Sequence, residues 1–122
     1  MNKQELEYFH SLLIWQRRQA TEDLRADRTM AREGDDGAEN IGERSELDLK
    51  RSVALELTTR QHHLIQDIDD ALGRIENGTY GQCVRCGKPL YKERLKAMPT
   101  AKHGPKCQAA IEAAQRIETR TL

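Results

Sequence analysis

Apolar residues recur every three or four positions over most of the chain, and that spacing predicts helices. Residues 3–33 contain neither Pro nor Gly, and Leu6, Phe9, Leu13, Gln16 and Ala20 step 3-4-3-4 along them. Leu12, Trp15 and Leu24 widen the stripe. Asn2, followed three residues later by Glu5, forms a capping box at its start. From Asp27 through Arg28, Arg32 and Glu33 the pattern becomes almost wholly polar, so the first helix begins with a packing face and ends solvated. Gly34-Asp35-Asp36-Gly37 then breaks it as a turn. A second helix is expected from Asn40, again with a capping partner at Glu43. Its apolar positions are Leu47, Val53, Leu57, Leu64, Ile68, Ala71 or Leu72, and Ile75, at spacings suited to a coiled-coil seam. Asn77-Gly78 closes it as a left-handed cap. Two helices, each about 45 Å long at 1.5 Å per residue and joined by a short turn, fold back as an antiparallel hairpin. The seam thins toward the turn, which places the stability at the end where the termini meet.

The remainder reads differently. Residues 79–104 hold Tyr80, Tyr91, two prolines and two of the three cysteines. Pro105 suits the first turn of a last helix, and Ala109, Ala110, Ile111, Ala114 and Ile117 give that helix a small apolar face. The expected fold is therefore predominantly all-α: a long helical hairpin over residues 1–78, with its tip at about 34–42, then a finger and terminal helix over 79–122.

Composition narrows the function. Of 122 residues, 37% are hydrophobic and 33% charged, too little apolar surface for a thick core but enough for helices that each bury one stripe. Twenty Lys and Arg balance twenty Asp and Glu. Affinity for nucleic acid comes largely from phosphate neutralisation, so this neutral balance disfavours direct DNA binding. There is no apolar run long enough for a transmembrane helix, and no apolar signal core follows Met1. A monomer in the cytoplasm, away from membranes, is expected, with its cysteines kept as thiols.

Cys83-Val84-Arg85-Cys86-Gly87 has the form of a zinc knuckle. Two thiolates two residues apart can share one ion, and the glycine permits the tight turn. A structural zinc site takes four ligands, and the chain supplies Cys107 and, four residues before it, His103. Cys83, Cys86, His103 and Cys107 thus make a chemically complete Cys3His set. A buried thiol at Cys107 and a solvated loop histidine at His103 are the alternatives. A thioredoxin-like role needs a βαβ context, and a zinc deaminase needs an H-x-E with a P-C-x-x-C; the sequence has neither. No nucleotide-binding loop or hydrolase constellation occurs, so catalysis is not expected.

Tyr80-Gly81-Gln82-Cys83-Val84-Arg85-Cys86-Gly87-Lys88-Pro89-Leu90, then Arg94-Leu95-Lys96-Ala97-Met98-Pro99-Thr100-Ala101, closing at Cys107-Gln108, resembles the finger of the DksA/TraR family. The preceding hairpin resembles that family's coiled coil, more loosely. The resemblance implies a zinc finger and a regulator that enters the secondary channel of bacterial RNA polymerase without reading DNA sequence. It also matches Arg60 to a family arginine that helps grip polymerase; the plain alternative is a solvated helix arginine.

Three departures from the family pattern stand out. The third cysteine of the four-Cys form falls on Gly104, with His103 beside it as the substitute; the alternative is that the chain resembles the family's cysteine-poor members, which hold the finger without metal. The family's tip, Asp-x-x-Asp-Arg-Ala, aligns with Asn40-Ile41-Gly42-Glu43-Arg44-Ser45, with Asp35 and Asp36 as the alternative acidic pair. The basic residues that hold the alarmone ppGpp fall on Asp67, Met98 and Gln108, which implies that a tetra-anion is not held there. His62-His63 and the cluster Lys92, Arg94 and Lys96 read as solvated faces. The leading expectation is a polymerase-binding modulator of initiation. The alternative is a zinc- or thiol-responsive sensor or adaptor that uses the hairpin as a docking arm.

Overall fold

The computed structural model describes residues 1–33 and 41–121. Its elements are four helices: α1 (Lys3–Glu33), α2 (Ile41–Asn77), α3 (Lys92–Ala97) and α4 (Pro105–Thr121). Among the described residues the only extended pairing is a single antiparallel bridge between Gln82 and Pro89.

The helix ends follow from their caps. Glu5 donates its backbone N–H to Asn2 Oδ1 at 2.8 Å, and the Asn2 N–H donates back to the Glu5 carboxylate. That is a reciprocal capping box, satisfying two N–H groups that a helix start would leave orphaned. α2 ends in a Schellman motif: Thr79 N–H reaches the Arg74 carbonyl at 2.9 Å and Gly78 N–H reaches Ile75 at 3.3 Å. Gly78 stands at φ +77°, a conformation that costs other residues a clash of Cβ with the backbone. α2 is described from Ile41; the expected cap at Asn40, with Asp35 and Asp36, lies outside the described residues.

The chain divides into two compact units. One is Ile14–Asp69. Within it α1 and α2 run antiparallel, because Arg17, near the start of this stretch of α1, pairs with Asp69 near the end of that of α2. The guanidinium donates to both carboxylate oxygens, at 2.8 and 3.4 Å. The pair is half-exposed, so its contribution is at most about 1 kcal/mol and its main effect is on register. Ala20, Leu24, Ala54 and Ile68 are buried.

The α1 stripe packs as expected, apart from Trp15, which is 58% exposed. The α2 seam does not. Val53 is 48% exposed, and Leu57 and Leu64 also face solvent, whereas Ala54 is fully buried. From Leu47 to Ile68 the buried and half-buried positions are Leu47, Arg51, Ala54, Thr58, Gln61, Ile65 and Ile68, an unbroken 4-3 repeat, and beyond it every position from Ala71 to Ile75 is buried or half-buried. The apolar residues Ile68 and Leu72 fix the seam at one end. Stepping back by heptads from there leads through 65, 61, 58 and 54, and each neighbouring residue lies about 100° around the helix. Three polar side chains are thereby carried into the seam. Thr58 turns its hydroxyl onto the Ala54 carbonyl at 2.8 Å, and Arg51 has a long apolar stem able to lie along the seam.

The second unit joins Met1–Leu13 to Asp70–Leu122. Three of the four largest fully buried side chains, Phe9, Leu13 and Leu95, belong to it. Tyr80 is its hub. Its ring packs against Phe9 at 5.7 Å, and its buried hydroxyl donates to the Pro99 carbonyl at 2.8 Å. Burial pushes the Tyr80 phenol up to about 12. Lys92, at the start of α3, pairs with Glu5 of the α1 capping box at 2.5 Å. The expected apolar face of α4 is largely unpacked: Ile111 is half-buried, but Ala109, Ala110, Ala114 and Ile117 are exposed.

Two outcomes are expected. Ala54→Leu overpacks the seam and lowers stability by about 1–3 kcal/mol, while Val53→Ser stays within about 0.5 kcal/mol; urea midpoints at constant slope separate them. Tyr80→Phe leaves a buried carbonyl unpaired and costs about 1–3 kcal/mol. The folded phenol, near 12, stays protonated where the unfolded one, near 10.0, ionises. The Tyr80 contribution is therefore complete below pH 10 and declines as pH rises toward 12. Unfolding of the wild type against Tyr80→Phe over that window should show the difference in slope.

Candidate metal centre in the finger

The finger is built from two short hydrogen-bonded crossings. Leu90 N–H donates to the Gly81 carbonyl at 2.7 Å, and Cys83 N–H to the Lys88 carbonyl at 2.8 Å, so residues 81–90 double back. Gly87, at φ +77°, makes the reversal, and its N–H closes onto the Cys83 carbonyl at 2.8 Å. Val84 N–H donates to the Lys102 carbonyl at 2.8 Å, drawing residues 102–104 across the knuckle. α4 then starts at Pro105, with Gln108 N–H on the Gly104 carbonyl at 2.9 Å, and this turn delivers Cys107.

The result is a cluster of three thiols. The sulfurs of Cys83, Cys86 and Cys107 lie within 4.8 Å of one another. Cys83 is buried, Cys107 half-buried and Cys86 exposed. Four sulfurs around zinc at about 2.3 Å sit about 3.8 Å apart, so the three need to close by no more than about 1 Å. Backbone N–H groups of Gly104, Cys86 and Arg85 donate to Cys83 Sγ and hold its thiol well below the ordinary range. Cys107 moves the opposite way, because its S–H donates to Cys83 and burial favours the neutral form. Zinc binds thiolates, so a pocket of N–H donors around the first sulfur suits a metal. The residues fit the ion: Cys83, Cys86 and Cys107 would hold it, and its chemistry would be a structural cross-link between the knuckle and α4.

His103 is half-buried and lies outside this group; the sulfurs are the only ligand atoms gathered among the described residues. Gly104 carries no side chain, and a Cβ built there meets only Leu90 Cδ2, at an ordinary 3.9 Å. The other expected contact residues are spread along α2. Arg60 is exposed and paired with Glu56 at 3.2 Å, Ser45 is exposed, and Glu43 lies in the first turn of α2, its side chain outside the description. Of the basic cluster, Lys92 is exposed and paired with Glu5, Arg94 is half-buried and Lys96 is exposed. The N–H donors at Arg85, Cys86 and Gly104 are missed by a reading of side chains. The Cys-x-x-Cys-Gly spacing carries a signal for two of them, since its tight turn points the following amides back at the first sulfur.

Comparison with known proteins fits this geometry. Residues 78–113 match the prokaryotic dksA/traR C4-type zinc finger. Over 118 residues the chain is 34% identical to the RNA polymerase-binding transcription factor DksA of Caulobacter vibrioides, covering 96% of this chain and 82% of that protein. The chain belongs to the DksA/TraR family. DksA of Escherichia coli K12 is 29% identical over 114 residues, covering 92% of this chain and 74% of its own length. The solved structure of the transcription factor DksA2 from Pseudomonas aeruginosa superposes with a TM-score of 0.79 at 28% identity, covering 99% of this chain and 88% of that one. The all-α hairpin with a DksA-type finger is thus shared, and among the described residues the finger of this DksA/TraR member gathers three cysteines where the name of the matched model specifies four.

Replacing Cys83, Cys86 or Cys107 singly by Ser leaves two thiolates. Each variant should lose the one zinc per chain that native mass spectrometry is expected to find in the wild type; full retention in any of them would remove that sulfur from the site.

Proposed function

We propose that this chain binds bacterial RNA polymerase in the cytoplasm, inserting its helical hairpin into the secondary channel and modulating initiation without reading DNA sequence. The observation that carries the proposal is similarity over nearly the whole chain to relatives described as RNA polymerase-binding transcription factors. The zero net charge supports a protein partner over a phosphate backbone. In no described helix is there a stretch long and apolar enough to cross a membrane.

The hairpin offers a face suited to docking. Leu49, Val53, Leu57 and Leu64 are exposed on one side of α2, with Arg60 between the last two. An exposed apolar row with one cation suits a protein surface better than water. Arg60 is held lightly, by a single exposed pair with Glu56, so it can exchange that partner at low cost. Asp35, Asp36, Asn40, Glu43 and Ser45 form the leading tip in this reading.

The tetra-anion ppGpp is not bound at the surface where the resemblance would put it. Asp67 and Met98 are exposed, and Gln108 donates its side-chain amide to the Glu112 carboxylate at 3.1 Å. Asp67 in one unit, and the Glu112 carboxylate beside Gln108 in the other, each set a negative charge where a phosphate cluster needs a cation.

Core polymerase should retain the chain in a pull-down at micromolar concentration, and Arg60→Glu should weaken binding about tenfold by reversing a contact charge. Addition of ppGpp should leave the wild-type affinity unchanged. No retention of the wild type would sink the proposal, and tighter binding with ppGpp would sink its alarmone-independent part.

A further inference from the structure

The C4-type finger normally closes its metal with four cysteines from the chain, as the name of the matched model states. Here three sulfurs converge, and the resemblance puts Gly104, which has no side chain, at the fourth place. Gly104 occupies it without any conformational need for glycine. Among the described residues those with left-handed backbones are Gly78, Gly81 and Gly87, and Gly104 is not one of them. A Cβ at 104 has room, with only a Leu90 methyl at contact distance. The Gly104 N–H already touches Cys83 Sγ, so this backbone lies against the cluster. Glycine therefore removes a ligand and leaves the ligand's place accessible.

We propose that the finger holds zinc through three thiolates, Cys83, Cys86 and Cys107, and that the fourth position is an exchangeable site beside Gly104 for a small exogenous soft donor. With zinc bound, water would hold this position, a low-molecular-mass thiol would displace it as a thiolate with its proton released to solvent and no change in oxidation state, and imidazole would displace it as a neutral donor. Zinc is borderline-soft and prefers four ligands, so a three-sulfur centre retains affinity for one more. His103 does not fill the place, since its ring is not among the ligand atoms gathered with the sulfurs. Pro105 follows Gly104 directly and fixes the backbone as α4 begins, which limits the swing available to residue 103. Cys86 is exposed, so this side of the site is open to small molecules.

The test uses the full-length chain loaded with cobalt(II), whose ligand-field absorption reports the ligand set. Titration of the wild type with 2-mercaptoethanol, and separately with imidazole, should shift the visible bands saturably through isosbestic points. Gly104→Cys should give a four-sulfur spectrum that neither reagent moves, and should release metal to a chelator at least about tenfold more slowly, as expected when an open position is closed. His103→Ala should reproduce the wild-type spectrum and its response. The proposal is overturned if the wild-type bands do not respond to either reagent, or if the chain takes up no cobalt. It is equally overturned if His103→Ala alters the bands before any ligand is added. The wild-type titration decides the matter even if Gly104→Cys folds poorly.

Discussion

Tyr80 is where three stretches of chain are fastened together. Its backbone N–H reaches the Arg74 carbonyl as α2 ends, its ring rests on Phe9 of α1, and its hydroxyl reaches the Pro99 carbonyl beyond α3. A chain with one Phe and three Tyr has few groups able to do this. An aromatic with a polar tip does it well, because the ring supplies buried area while the hydroxyl satisfies a carbonyl that would otherwise be stranded. The finger turn begins at the next residue, so the knuckle is sited by the same fastening.

The two units use their residues differently. The unit containing Tyr80 concentrates large apolar side chains and joins its pieces by non-local hydrogen bonds. The Ile14–Asp69 unit keeps a regular seam but fills it with Ala20, Ala54, Thr58 and Gln61, and leaves Leu49, Val53, Leu57 and Leu64 outside. A polar seam of this kind gives up hydrophobic stabilisation, and its buried Gln61 Oε1 lacks a hydrogen-bond partner. Apolar groups placed outside the seam are free for use between molecules.

Local signals in the sequence were reliable where the cause is local. The Asn2–Glu5 box, the Gly78 cap, the Gly87 turn and the Pro105 start each depend on a few adjacent residues, and each is present in the structure. The α2 seam was misplaced because hydrophobicity alone favours Val53, Leu57 and Leu64. Phase is set instead by Ile68 and Leu72 and carried along by the heptad, a constraint that extends over some twenty residues. The α4 face failed for a related reason: five apolar residues at helical spacing do not specify that anything packs on them. In the finger, the sulfurs were legible from their spacing. The place of His103 outside the sulfur group was not, because it depends on how the Val84–Lys102 crossing turns the backbone before Pro105.

The unstrained backbone at Gly104 also bears on how such a centre could arise and vary. Glycine and cysteine codons that end in the same pyrimidine differ by one base. The fold asks nothing special of either residue at this place, and Leu90 makes no clash with a side chain there. A lineage can therefore pass between a sealed and an unsealed finger by one point mutation, without first rebuilding the scaffold. Metal affinity at this position is open to selection separately from folding.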